Sequence, residues 1–139
     1  MRKRISSASW LFNAWAVSVV ATGGSLYLSE YLHFTPCSLC WYQRIFMYPL
    51  TILLGIASWR NQKHAVPYAL PLVAFGAGFS VYHIAVQELP HGEDGPFCGP
   101  VSCATDVLNA FGFLTVPMLA LAAFAMIFAS LMLARRAEN

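Results

Sequence analysis

The sequence predicts an all-α membrane protein, a bundle of four transmembrane helices with two outer loops that each carry a pair of cysteines. Hydrophobic residues make up 58% of the 139-residue chain and charged residues only 10%, whereas a soluble domain carries roughly 25% charged residues. The few charges are segregated, which leaves four long uncharged runs, at 5–28, 45–59, 65–87 and 107–134. Together, this composition and this segregation predict repeated crossing of a lipid bilayer.

The uncharged runs are long enough to span a membrane. A spanning helix needs about 20 mostly apolar residues at about 1.5 Å per residue. We therefore predict spans at roughly 9–29, 41–59, 66–88 and 112–133. These spans use most of the chain, so residues 1–139 are expected to form a single membrane domain.

The distribution of lysine and arginine predicts the orientation. Seven of the eight basic residues fall on one side of the predicted spans, namely Arg2, Lys3, Arg4, Arg60, Lys63, Arg135 and Arg136. Basic residues mark the cytoplasmic side. We expect a multi-pass protein of the plasma membrane with both termini in the cytoplasm and the loops 30–40 and 89–111 outside. Membrane lipid is an expected partner, and no basic footprint indicates nucleic acid.

The first predicted span also has the basic start and apolar stretch of a signal peptide. Cleavage after Ala21 would leave the remaining topology intact. The apolar run continues beyond that residue through Leu26, Tyr27 and Leu28, however. We therefore expect the first span to be retained.

The second span opens on a Cys-x-x-Cys pair, Cys37 and Cys40. Thr35 and Pro36 resemble a helix start, because threonine caps helices and proline is tolerated at the first helical position. Free backbone N–H groups and the helix dipole at such a start stabilise a thiolate, the nucleophile of disulfide exchange. A redox role is favoured, with a static disulfide and half of a zinc site as the alternatives.

The second cysteine pair, Cys98 and Cys103, lies in the long polar loop and encloses four residues. A disulfide across so short a loop is prone to strain, and exposed or strained disulfides exchange readily. The alternatives are a structural staple and an all-cysteine zinc site formed with the first pair. Because the first pair is also predicted to be redox-active, a disulfide that takes part in thiol–disulfide exchange is favoured here, and no resident metal is expected.

Arg44 is the one basic residue inside a predicted span. It follows Cys40 by four residues, so both side chains project from one helix face. A charge about two turns into an apolar helix is costly and usually functional. Arg44 is predicted to stabilise a Cys40 thiolate or to donate hydrogen bonds to a quinone oxygen. The alternative is snorkelling to the lipid headgroups.

The third span contributes His83 near its outer end. A histidine there suits hydrogen bonding to the carbonyl of a bound ring, or proton transfer. Packing beside Tyr82 is the alternative. Earlier in this span, Gly76 and Gly78 are expected to allow close contact between helices.

These features resemble the DsbB-like membrane thiol oxidoreductases, particularly their short Bdb-type branch. The resemblance covers the four-span plan, Cys37-x-x-Cys40 opening span 2, Arg44 at the family spacing, and Cys98 with Cys103 in the second outer loop. His83 and the residues after it, with 111–117 before span 4, are weaker similarities.

The resemblance implies a protein-dithiol:quinone oxidoreductase that sustains disulfide formation in exported proteins. It would reoxidise a soluble or anchored DsbA-like oxidase of the thioredoxin fold and pass the electrons to menaquinone or ubiquinone. Cys98 would form the mixed disulfide with that partner, and Cys103 would pair with Cys37. Cys40 would lie against the quinone ring, with Arg44 and His83 near it.

Two other interpretations remain at this stage. A vitamin-K-epoxide-reductase-like enzyme also combines four helices with a Cys-x-x-Cys and two loop cysteines. Its Cys-x-x-Cys typically opens the last core helix, whereas Cys37 and Cys40 open the second here. A non-enzymatic, metal-binding membrane subunit is the other interpretation.

Overall fold

The computed structural model describes residues 2–31, 38–88 and 116–137. Within these residues the chain forms four α-helices, α1 (Arg2–Glu30), α2 (Ser38–Arg60), α3 (Val66–Glu88) and α4 (Val116–Arg136), with a one-turn 3-10 helix at Lys63–Ala65. The prediction of an all-helical chain is confirmed for the described residues.

The four helices pack in a ring. Helix α1 contacts α2 and α4, and α3 contacts the same two neighbours from the opposite side. The buried core inside the ring takes apolar side chains from all four helices, among them Leu11, Leu54, Val73 and Phe124. Each helix therefore presents one side to the core and the other to the surroundings.

A tight reversal at Asn61 joins α2 to α3. Asn61 has a φ of 51°, the left-handed conformation that asparagine tolerates better than most residues. The backbone N–H of Gln62 donates to the carbonyl of Ala57 at 2.9 Å, which satisfies an acceptor at the helix end. Because the connection is short, α2 and α3 lie antiparallel. We call the end of the bundle near this turn the Arg60 end, and the end near Glu30, Ser38 and Glu88 the Cys40 end.

The outer surface is apolar, with aromatic residues near both ends. Trp59 and Tyr68 are exposed at the Arg60 end, and Trp41 at the Cys40 end. Trp41 and Trp59 lie about 27 Å apart along α2 at about 1.5 Å per residue, close to the roughly 30 Å of a bilayer core. Interfacial tryptophan and tyrosine belts are typical of membrane proteins, so this surface matches a bilayer.

Three of the helices in the described part of the chain are long and apolar enough to cross a membrane. Their spanning segments are Leu39–Arg60, Lys63–Val86 and Pro117–Arg136. Helix α1 is long enough but more polar, and its polar side chains bond to neighbouring helices. Asn13 donates to Ser130 at 2.8 Å, and Thr22 bonds to Thr51 at 3.0 Å.

The span at 9–29 and the division into one membrane domain stay predictions. Part of the fourth predicted span, 112–115, lies outside the described residues, as do 32–37 of the first predicted loop and the whole of the second, 89–111.

Only one of the two glycines of α3 makes the predicted close contact. A Cβ atom at Gly76 would overlap the ring of Phe124 on α4, whereas one at Gly78 would meet open space. The prediction of a close helix contact is therefore confirmed for Gly76 and wrong for Gly78.

Candidate functional site

Cys40 lies in the first turn of α2, at the Cys40 end of the bundle. Its side chain is half-buried and packs against a small cluster around Leu39 and Val86, together with Phe79 and Tyr82 of α3. The first four N–H groups of a helix lack partners within the helix, and the dipole there favours negative charge. Cys40 thus lies near the start of α2, which begins at Ser38, a setting that favours a thiolate, while the predicted helix start at Thr35 and Pro36 lies outside the described residues.

Arg44 lies one turn deeper in α2 and is held by α1. Its Nε donates to the Oγ of Ser25 at 2.9 Å, and one Nη donates to the carbonyl oxygen of Ser25 at 3.0 Å. The guanidinium carbon also lies 5.4 Å from the ring centre of Trp41, within the range of a cation–π contact. These contacts fix the cation in the groove between α1 and α2.

The donor set of Arg44 is compatible with a further acceptor. A guanidinium has five N–H groups, and two of them bond to Ser25. No carboxylate among the described residues pairs with it. Within the described part of the chain, three N–H groups are thus left for an acceptor such as a ligand carbonyl.

On the other side of Cys40, α2 is bonded to α3. The side chain of Gln43 is almost fully buried, and its Nε2 donates to the Oγ of Ser80 at 3.2 Å. Ser80 donates in turn to the carbonyl of Gly76 at 3.0 Å. At about 100° per residue, Arg44 lies about 40° to one side of Cys40 and Gln43 about 60° to the other.

His83 is buried on α3, with 2% of its surface exposed. It lies one turn beyond Ser80 toward the Cys40 end, as Cys40 lies one turn beyond Gln43. Since α2 and α3 are antiparallel, Cys40 and His83 come to the same level on facing helices. The described part of the site thus combines Cys40, Arg44 and His83 at one end of the bundle.

Cys37, Cys98 and Cys103 lie outside the described residues, so both predicted pairs, and the predicted pairing of Cys37 with Cys103, stay predictions. No cluster of three potential metal ligands occurs among the described residues. A site of four cysteines would need these three, so the zinc interpretation is untested.

Sequence reasoning missed three residues that build this end of the bundle: Ser25, Gln43 and Ser80. Gln43 was the most detectable, because it is a polar side chain beside Arg44 in an apolar helix. Nothing local distinguishes Ser25 or Ser80 from other serines of the spans. Their importance lies in what they face across the helix pairs.

Comparison with known proteins identifies the family. Residues 7–134 match the family described as "Disulfide bond formation protein DsbB". The chain belongs to the DsbB family. Membership makes it a membrane protein of disulfide bond formation, and the matched range includes all four cysteines, Arg44 and His83.

Curated relatives support the same assignment. The chain is 49% identical over 115 residues to "Probable disulfide formation protein C 1" of Bacillus cereus (strain ATCC 10987 / NRS 248), covering 82% of this chain and 83% of the relative. It is 45% identical over 120 residues to "Disulfide bond formation protein C" of Bacillus subtilis (strain 168), covering 85% and 86%. A "Probable disulfide formation protein" of Coxiella burnetii (strain RSA 493 / Nine Mile phase I) is 48% identical over 115 residues, covering 81% and 78%. No solved structure matches the chain significantly.

Proposed function

We propose that this DsbB-family protein is a protein-dithiol:quinone oxidoreductase. It takes two electrons from a reduced, DsbA-like oxidase of the thioredoxin fold and delivers them to a membrane quinone, menaquinone or ubiquinone. The observation that carries the proposal is the arrangement at the Cys40 end. A cysteine in the first turn of a membrane helix lies one turn from an arginine that Ser25 holds in place.

The thiol chemistry belongs to Cys37 and Cys40. Joining them in a disulfide removes two electrons and two protons from the two thiols. Cys40 favours the thiolate through the free N–H groups of the first turn. The Arg44 cation, one turn deeper on nearly the same face, adds to that stabilisation.

Arg44 and His83 would hold the quinone head group. A quinone bound there would accept the two electrons and two protons that formation of the disulfide releases. Arg44 provides a fixed cation and N–H donors that no described residue accepts, in a low-dielectric site where fixed donors stabilise developing negative charge strongly. His83 provides a buried imidazole at the level of Cys40, which can donate to a carbonyl oxygen or carry a proton.

The partner side of the cycle belongs to Cys98 and Cys103. A thiolate of the reduced partner attacks the Cys98–Cys103 disulfide, which joins the partner to Cys98 and releases the Cys103 thiolate. The second thiol of the partner then attacks this mixed disulfide, so the partner leaves as a disulfide and Cys98 and Cys103 are both reduced. Electrons then reach the first pair through an exchange between Cys103 and Cys37. Each exchange is attack of a thiolate on a disulfide, so the electron count is conserved at two per cycle.

The membrane orientation is part of the proposal. Seven of the eight basic residues would face the cytoplasm with both termini, in a multi-pass arrangement in the plasma membrane. Both cysteine-bearing loops would then face the compartment that holds the partner oxidase.

Arg44→Met tests the proposed division of roles, since methionine keeps an unbranched apolar stem but removes the cation. Steady-state quinone reduction at varied quinone should show a higher KM, a lower kcat or both. Single-turnover oxidation of the reduced partner by pre-oxidised protein should stay near wild type. Unchanged quinone kinetics would show that Arg44 only anchors α2 to α1, and the quinone site would have to lie elsewhere.

A further inference from the structure

The bond between Gln43 and Ser80 is a buried polar contact between α2 and α3. Gln43 is 6% exposed and Ser80 is fully buried. Burying an amide in such an environment is unfavourable unless it is hydrogen-bonded. This bond therefore disfavours sliding of α2 along α3, since any shift would separate the Gln43 amide from its acceptor.

The neighbouring contacts define the register that the bond holds. Toward the Cys40 end, Leu39 packs against Val86. On the outward side, the ring of Tyr42 stacks on that of Phe79 at 5.1 Å. One turn from the Gln43–Ser80 bond toward the Cys40 end, this register brings Cys40 to the level of the buried His83.

We propose that Gln43 is a positioning residue that keeps Cys40 at the level of His83 through its hydrogen bond to Ser80. The consequence for electron transfer rests on the proposed function, whereas the consequence for helix register does not. Gln43 acts through Cys40, one turn away on α2, and through His83, one turn from Ser80 on α3. It needs no contact with a quinone.

A single substitution removes the Gln43–Ser80 hydrogen bond without leaving a buried donor unpaired. Gln43→Met keeps the length and most of the volume of the side chain but loses the donor. Ser80 keeps its own donor bond to Gly76, so no buried hydroxyl hydrogen is left without an acceptor. Gln43→Glu is the rescue variant, because burial favours the neutral acid, whose O–H can donate to Ser80.

Cross-linking measures the register directly. In a protein with His83→Cys and with Cys37, Cys98 and Cys103 replaced by serine, o-phenylenedimaleimide should join Cys40 to the introduced cysteine. Gln43→Met should slow this cross-link about threefold, the change that corresponds to an average side-chain hydrogen bond between membrane helices. Gln43→Glu should restore most of the rate.

Asn13→Leu is the matched control. It removes another hydrogen bond between helices, the one to Ser130, toward the Arg60 end and away from Cys40. Asn13→Leu should leave the rate of the cross-link between Cys40 and the introduced cysteine unchanged. If Cys40 and the introduced cysteine do not cross-link when Gln43 is present, the register is refuted. If Asn13→Leu slows the cross-link as much as Gln43→Met does, Gln43 only stabilises the bundle in general. Either result overturns the proposal.

Kinetics of the four-cysteine protein give the second readout. Gln43→Met should lower kcat for quinone reduction about threefold and leave the quinone KM within about twofold, because the bond is not expected to touch the quinone. A raised KM with unchanged kcat would overturn the positioning role. Failure of the unmodified protein to reduce quinone, with cross-linking still dependent on Gln43, would refute the proposed function and leave the positioning role standing.

Discussion

Ser25→Ala tests whether α1 holds Arg44 for quinone binding. The substitution removes the bond from Nε of Arg44 to the Ser25 hydroxyl, which is 2.9 Å long. It leaves the second bond, to the backbone oxygen at 3.0 Å. The guanidinium therefore keeps one anchor and its charge, but it loses the two-point contact that fixes its orientation.

The size of the effect follows from the kind of bond removed. Hydrogen bonds to charged groups contribute roughly 1.5–3 kcal/mol to stability, while side-chain bonds between membrane helices average about 0.6 kcal/mol. Because Arg44 is half-buried and keeps its second bond, we expect a loss of about 0.6–1 kcal/mol. At about 1.4 kcal/mol per factor of ten, the quinone KM should rise about three- to fivefold.

The assay is steady-state quinone reduction with a saturating concentration of reduced partner. Ser25→Thr keeps the hydroxyl and should stay near wild type. Thr22→Val removes a different bond between α1 and α2, the one to Thr51, and should leave the quinone KM unchanged. An unchanged KM in Ser25→Ala, or an equal rise in Thr22→Val, would refute the idea that Ser25 orients Arg44.

Three further predictions follow from the fold and the proposed cycle. Gly76→Ala should lower the free energy of unfolding by about 1–3 kcal/mol, because the new methyl group would overlap the Phe124 ring. Denaturant titration measures this loss, and Gly78→Ala is the control that should show little change. Cys103→Ser should trap a mixed disulfide with the partner through Cys98, seen as a thiol-sensitive adduct on a non-reducing gel; trapping by Cys98→Ser instead would reverse their order. A membrane-impermeant maleimide applied to reduced intact cells should label the cysteines of both loops, whereas labelling only after the membrane is opened would refute the orientation.

The sequence predicted the helices well because membrane spans are a matter of length and polarity. Uncharged runs located α2 and α3 closely, and their helices start and end within a few residues of the predicted spans. Helix α1 departs from the simple pattern. Residues such as Asn13 and Thr22 make it more polar than the other three, and their side chains bond to α4 and α2. A one-dimensional pattern counts such residues but does not show that a neighbouring helix satisfies them.

The same limit applies to the site. Spacing along one helix placed Cys40 and Arg44 on a common face, because four residues make about one turn. Spacing could not identify Ser25 as the residue that holds Arg44, since that contact depends on how α1 packs against α2. Nor could it distinguish Gly76 from Gly78, because only the packing of α4 shows which glycine meets Phe124.

The central claim is that the pair of Cys37 and Cys40 delivers its electrons to a quinone. The most direct measurement is to mix fully reduced protein, without its partner, with excess quinone, and to count thiols and quinol together. We predict that the Cys37–Cys40 disulfide forms with one quinol produced per two thiols lost, and that Cys40→Ala produces none. Quinol formation by Cys40→Ala at the wild-type rate, or loss of thiols without quinol, would contradict the claim.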